Sequence, residues 1–217
     1  MRKAIVSIGT GPQQGLLRMA SRSFRPYAAR HGYDLHLHAE PLVAERPVPW
    51  SKVELLRRLN ESYDVLVWLD ADLVVVDGRR DILDDLPEDR LFGLVEHRTA
   101  DGQMPNSGVL VIRCGDEAER FLANVWAQED LITHQWWENA AVCRLLGYEL
   151  DPVGPGEPTA LLRDRVTFLD PRWNSIPSDP ARAPFIRHFP GYAPRTRSVL
   201  MAASLVEMTA RRTAAAR

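Results

Sequence analysis

Asp70 and Asp72 lie in the stretch SYDVLVWLDADLVVVD, residues 62–77, between two apolar runs. In an extended chain, residues i and i+2 share a side, so both carboxylates point together with small Ala71 between them. Two close carboxylates in a confined place cannot both stay ionised without positive charge nearby. A divalent cation meets that need. Hard oxygen ligands suit Mn²⁺ or Mg²⁺, and such ions often complete their shell with substrate phosphates. The spacing therefore points to a metal–diphosphate clamp. A solvated turn is the plain alternative. Turns usually bring Gly, Pro or Asn, and none of these occurs here before Gly78.

A second chemistry fits the same pattern. Haloacid-dehalogenase-like phosphatases also place D-x-D after an apolar strand, with the first Asp as nucleophile, here Asp70. Their motif continues with Thr two residues after the second Asp, where this chain has Val74. It also falls near the start of their catalytic domain, whereas here a helix and two strands are expected first.

The elements that must hold the pair read as alternating strand and helix. KAIVSI (3–8) is a buried strand, and GTGPQQG ends it. Helical spacing over 15–31 is interrupted by Pro26, so a kink or a new helix is expected there. Gly32 stops it, and YDLHLH (33–38) alternates as a strand. SKVE (51–54) forms a capping box, with Ser51 as cap and Glu54 reaching back, opening a helix with Val53, Leu55, Leu56 and Leu59 inward. DVLVWL (64–69) is too uniformly apolar for an exposed strand and is expected at the sheet centre. Further strands are expected at 91–96, 107–113, 165–170 and 184–189. Further helices are expected from Asp116 as cap to about Gln128, over about 137–146, and near 198–210. The pattern predicts an α/β fold, one domain over 1–217, with a mixed, mostly parallel sheet flanked by helices. Ligands of such sheets bind beyond the carboxyl ends of the strands, where Asp70 and Asp72 fall.

Composition narrows the function classes. The formal net charge of −2 on 217 residues gives no general pull toward nucleic acid or an anionic membrane. No apolar run is long enough to span a bilayer, and the N-terminus does not read as a signal peptide, so a cytoplasmic location is expected. Cys114 and Cys143 lie in apolar patterns and read as free thiols. The helix SVLMAASLVEMTARR offers a surface for a homo-oligomer contact as well as for core packing.

Four ordered blocks over about 50–192 carry a resemblance. The first, WSKVELLRRLNESYDVLVWLDADLVVVD, has Trp50 and Lys52 opening a helix, then Trp68, Asp70 and Asp72. The second is PNSGVLVIRCGDEAERFLANVWA. The third, WWENAAVCRLL, reads Trp137-Glu138-Asn139 where many relatives have Asp-Asp-Gln. The fourth is RHFPGY. Together they resemble the galactosyl-, mannosyl- and xylosyltransferase family that includes fungal Golgi α-mannosyltransferases and plant xyloglucan xylosyltransferases. The resemblance implies a Rossmann-like glycosyltransferase-A fold and a retaining transfer. It also implies a UDP- or GDP-sugar donor and a glycan or metabolite acceptor.

It further implies His188 as a third metal ligand beside Asp70 and Asp72, and Lys52 as a point charge on a donor phosphate. Thr10, Gly11, Ala71 and Gly191 would line the donor site. Asn106 and Ser107 would contact substrate. Trp136 and Trp137 would stack on a sugar or base if exposed. Glu138 and Asn139 would act on the acceptor or at the anomeric carbon, and front-face displacement and a covalent intermediate on Glu138 both remain open. The Trp137-Glu138-Asn139 departure also leaves room for a protein that binds nucleotide sugar without turnover.

Overall fold

The computed structural model describes residues 1–100, 102–157 and 162–215. The chain runs β1 (Lys3–Ile8), α1 (Gln14–His31), β2 (Asp34–His38), α2 (Ser51–Asn60), β3 (Val65–Leu69), β4 (Leu73–Val75), β5 (Phe92–Thr99) and β6 (Gly102–Arg113). It continues through α3 (Asp116–Trp126), α4 (Trp137–Leu145), β7 (Tyr148–Leu150), β8 (Val153–Pro155), β9 (Val166–Phe168), β10 (Ile186–His188) and α5 (Pro194–Ala215).

The main sheet has the order β2-β1-β3-β6-β5-β9, with the short β7–β8 hairpin attached to β6. β1 pairs parallel with β2 and β3, and β5 pairs parallel with β9. β6 lies antiparallel to both β3 and β5, so it alone among these six strands opposes the common direction. The expected mixed, mostly parallel sheet flanked by helices is therefore present.

Side-chain alternation builds two cores from the same strands. Val65, Val67 and Leu69 of β3 face α1, α5 and β4, whereas Leu66 and Trp68 face α2, α3 and α4. All five are buried, which explains the uninterrupted apolar run. Outside the sheet, β10 pairs antiparallel with β4, setting His188 opposite Leu73. The Phe189 amide also donates to the Asp72 carbonyl at 3.2 Å. This small pairing carries the RHFPGY segment to the aspartates.

Several local expectations change. Helix α1 runs unbroken through Pro26. Phe24, Tyr27 and Ala28 remain buried on its core face, and this packing outweighs the lost backbone bond. The capping box does not form. Trp50 occupies the cap position of α2, Ser51 Oγ accepts from the Leu42 amide at 3.3 Å, and Glu54 pairs with Arg58 at 2.6 Å. A preceding turn over Val48–Trp50 already supplies helical backbone, so Ser51 has become part of the helix. Gly115, not Asp116, precedes α3 as its cap. The final helix begins at Pro194, before the expected 198. Gly32 and Gly147 end α1 and α4 with φ of +70° and +84°, as their stop signals predict. Cys143 is buried and Cys114 half-buried, both as free thiols, and burial pushes each thiol up to about 12.

Candidate active site and metal-ligand cluster

The C-terminal ends of β1 and β3 converge on one rim. Val6 pairs with Trp68, which brings the residues after β1 alongside Asp70 and Ala71. A Cβ on Gly9 would meet Ala71 Cβ at 3.2 Å. Thr10 and Gly11 follow, with Gly11 at φ +51° and open space where a side chain would stand. Gly191, at φ +74°, likewise leaves open space just past His188.

Asp70, Asp72 and His188 form one cluster, with one ligand atom from each lying within 4.8 Å of the others. His188 Nε2 is 3.3 Å from Asp72 Oδ1 and 3.8 Å from Asp70 Oδ2. His188 Nδ1 bonds Asn174 Oδ1 at 2.9 Å. An amide oxygen only accepts, so Nδ1 carries the proton and Nε2 keeps its lone pair toward the carboxylates when the ring is neutral. Asn174 is fixed in turn, because its Nδ2 donates to Asn106 Oδ1 at 3.0 Å. Asn106 Oδ1 also accepts from the Gly108 amide at 2.9 Å. Two hard oxygens and one oriented imidazole nitrogen suit Mn²⁺ or Mg²⁺.

A cationic side chain touches the cluster. Arg197, in the first turn of α5, holds Asp72 Oδ2 at 3.3 Å. Its Nη2 donates to the Tyr192 carbonyl at 3.0 Å, while its buried Nε has no partner among the described residues. Burial alone would raise the Asp72 carboxyl, but His188 and Arg197 outweigh it and hold Asp72 below the usual carboxylate range.

Lys52 is almost wholly enclosed, at 4% exposure. Its Nζ lies 2.7 Å from Glu138 Oε1, 3.3 Å from Asp70 Oδ1, and 3.1 Å from both Ser107 O and Ser107 Oγ. Burial pulls the ammonium down, yet Asp70 and Glu138 offset this and raise it overall. Glu138 is likewise buried, and burial pushes its carboxyl up against the pull of Lys52. Trp68 Nε1 donates to Asp70 Oδ1 at 2.6 Å. The three charges thus form a chain from α4 through α2 to the end of β3.

Asn139 Oδ1 accepts from the Ser107 amide at 2.8 Å, so both residues brace the strand β6 beneath this chain. Trp136 is half-buried against the core, while Trp137 is 43% exposed beside Glu138. Trp137 also has φ +46°, uncommon for a bulky residue. The structure therefore unites Asp70, Asp72 and His188, joins Lys52 to Glu138, and leaves Trp137 facing outward.

Asn174 and Arg197 are two site residues that the sequence reading passed over. A lone Asn before Ser and an Arg one turn into a helix carry no local signal. Only the segments' convergence gives them a role. Gly108 has a stricter one, because a Cβ there would stand 2.3 Å from His188 Cε1. Gly108→Ala is expected to displace the imidazole and weaken Mn²⁺ binding by roughly 10–100-fold. Titration with Mn²⁺ alone checks this, and unchanged affinity would show that the ring has room to move.

The mixed sheet thus carries a candidate metal site at its carboxyl rim, and its fold is of the glycosyltransferase-A type by likeness to solved structures. No family model and no curated protein matches the chain. Solved structures do. A glycosyltransferase involved in the glycosylation of the major capsid of PBCV-1 is similar with a TM-score of 0.73 at 20% identity, over 94% of this chain and 100% of that one. The galactosyltransferase LgtC, solved with donor and acceptor sugar analogues, gives 0.54 at 12% identity over 92% and 95%. The glycosyltransferase GlyE of Streptococcus pneumoniae TIGR4 gives 0.57 at 15% identity, over 96% of this chain and 63% of that one. At these identities the likeness speaks for the fold. The narrower resemblance to mannosyl- and xylosyltransferases rests on the sequence blocks alone. The fold of these neighbours does not favour the phosphatase alternative.

Among the described residues, no helix is long and apolar enough to cross a membrane.

Proposed function

We propose that this protein is a metal-dependent glycosyltransferase, moving a sugar from a UDP- or GDP-sugar to a hydroxyl of a glycan or metabolite with retention. The observation that carries this reading is the Asp70–Asp72–His188 cluster, whose ligand atoms lie within 4.8 Å at the carboxyl rim of a glycosyltransferase-A sheet. The neighbours' names and the donor and acceptor analogues of LgtC support the same direction.

In this reading Asp70, Asp72 and His188 would hold Mn²⁺ or Mg²⁺, which would supply Lewis-acid stabilisation to the leaving diphosphate. Thr10, Gly11, Ala71 and Gly191 border the donor. The open space at Gly11 and Gly191 lets backbone approach phosphate closely. Lys52 acts through Asp70, holding its carboxylate in place at 3.3 Å. Asn106 acts on His188 through Asn174. Glu138 is enclosed and committed to Lys52, which supports an electrostatic role and front-face displacement over attack by its carboxylate. Exposed Trp137 offers a ring face on which an acceptor sugar can stack.

The test is a panel of UDP- and GDP-sugars, each with Mn²⁺, read first by thermal stabilisation and then by nucleoside diphosphate release. One donor is expected to stabilise the protein and be consumed, with loss of both effects in chelator. Release that persists in chelator would sink the metal clamp. Stabilisation without release, with glycan acceptors supplied, would favour binding without turnover.

A further inference from the structure

A cleft of about 850 Å³ opens between α1 and α5 at the end of β4 opposite Asp72. By strand rise it lies on the order of 15 Å from the metal-ligand cluster. Tyr27, Val75 and Met208 give it an apolar floor, and Arg30, Arg79, Arg211 and Arg212 stand around it.

The charges there do not balance. Asp77 is the acid lining the cleft, and Arg79 takes it in a two-pronged grip at 2.9 and 2.6 Å. Arg211 lies 3.7 Å from Asp77 and binds Glu207 at 2.7 Å. Glu207 is shared again with Arg187 at 2.6 Å. Arg30 and Arg212 have no ion pair among the described residues, and both are exposed. The two helices beside the cleft are themselves rich in arginine. Helix α1 carries Arg18, Arg22, Arg25 and Arg30 and no acid, and Glu207 is the single acid of α5. The cleft lining itself holds four arginines against the one acid Asp77, on a chain whose formal net charge is −2.

Like charges gathered around a recess repel one another, and an anion relieves that repulsion. Guanidinium groups match phosphate oxygens in pairs of parallel hydrogen bonds. Two unpaired guanidinium groups also match the two charges of a phosphate monoester. The cleft is much larger than one phosphate, so the remaining volume over Tyr27, Val75 and Met208 suits an apolar or ring portion. The geometry points to a second binding site, separate from the metal-ligand cluster, for a phosphate ester with an apolar moiety. A soluble ester and a phospholipid headgroup share this chemistry.

The full chain and an Arg30→Gln/Arg212→Gln variant should be compared in chelator, which removes any metal contribution from the Asp70 cluster. Phenyl phosphate is titrated by calorimetry, and phosphatidylcholine vesicles with and without phosphatidic acid are tested by co-sedimentation. Saturable binding of at least one probe is expected, weakened by about tenfold or more in the variant. Phenyl phosphate binding identifies a soluble ester. Binding only to vesicles with phosphatidic acid identifies a headgroup. Both changed positions are exposed, so equal melting temperatures are expected and serve as the folding control. Binding of neither probe, or equal binding by both proteins, would overturn the site. Neither result bears on sugar transfer.

Discussion

Replacing Asp72 with asparagine is expected to cut nucleotide-sugar turnover by about 10²–10³-fold. The amide keeps the shape of the side chain but loses the charge that faces His188 at 3.3 Å and Arg197 at 3.3 Å. Two cations or cation-holding groups then lose their shared anion. Mn²⁺ affinity should fall with turnover, because one of the three proposed ligands becomes a neutral oxygen. A direct Mn²⁺ titration of the variant reads that loss without any donor present. Melting temperature separates loss of chemistry from loss of fold. If the variant stays folded and turns over at the wild-type rate, Asp72 is not a metal ligand in the reaction.

The second large effect is on stability. Lys52→Ala is expected to cost about 3–5 kcal/mol, because it leaves Glu138 buried without a countercharge and Asp70 short of one. Folded domains have only about 5–15 kcal/mol in total, so this is a severe loss. Urea unfolding reads it directly. A Lys52→Met/Glu138→Leu double variant should recover much of the loss, since removing both partners is far less costly than stranding one. The contrast tests what Lys52 does. A lysine reserved for donor phosphate would leave stability within roughly 0.5 kcal/mol on substitution and raise KM instead. With its Nζ 2.7 Å from Glu138, Lys52 is expected to behave as the buried countercharge.

These two residues mark where pattern reading stops. Asp72 stands out because apolar strands leave few reasons for a paired carboxylate. Lys52 stands out only as a match to a motif, and its true neighbours, Glu138 and Ser107, lie 86 and 55 positions away. The capping box failed for a related reason. Ser51 and Glu54 have the right spacing, but the turn over Val48–Trp50 extends the helical backbone ahead of them. Pro26 signalled a kink or a new helix, and no new helix starts there because Phe24 and Tyr27 keep the one helix packed on the core. The short strands β4, β7 and β8 have three residues each, too few for a period to show.

The chain's own order of residues determined the strand–helix alternation, the fully buried β3, and a carboxylate pair at its end. Those features depend on hydrophobic period and on the cost of placing charge beside a core, both local properties. What surrounds DAD was decided by tertiary structure. The pairing of β10 with β4 delivers His188, α5 delivers Arg197, and α2 and α4 meet to join Lys52 with Glu138. Charge compensation acts through space over a few ångströms, so its partners can come from any point along the chain, and only the packed fold brings them within reach.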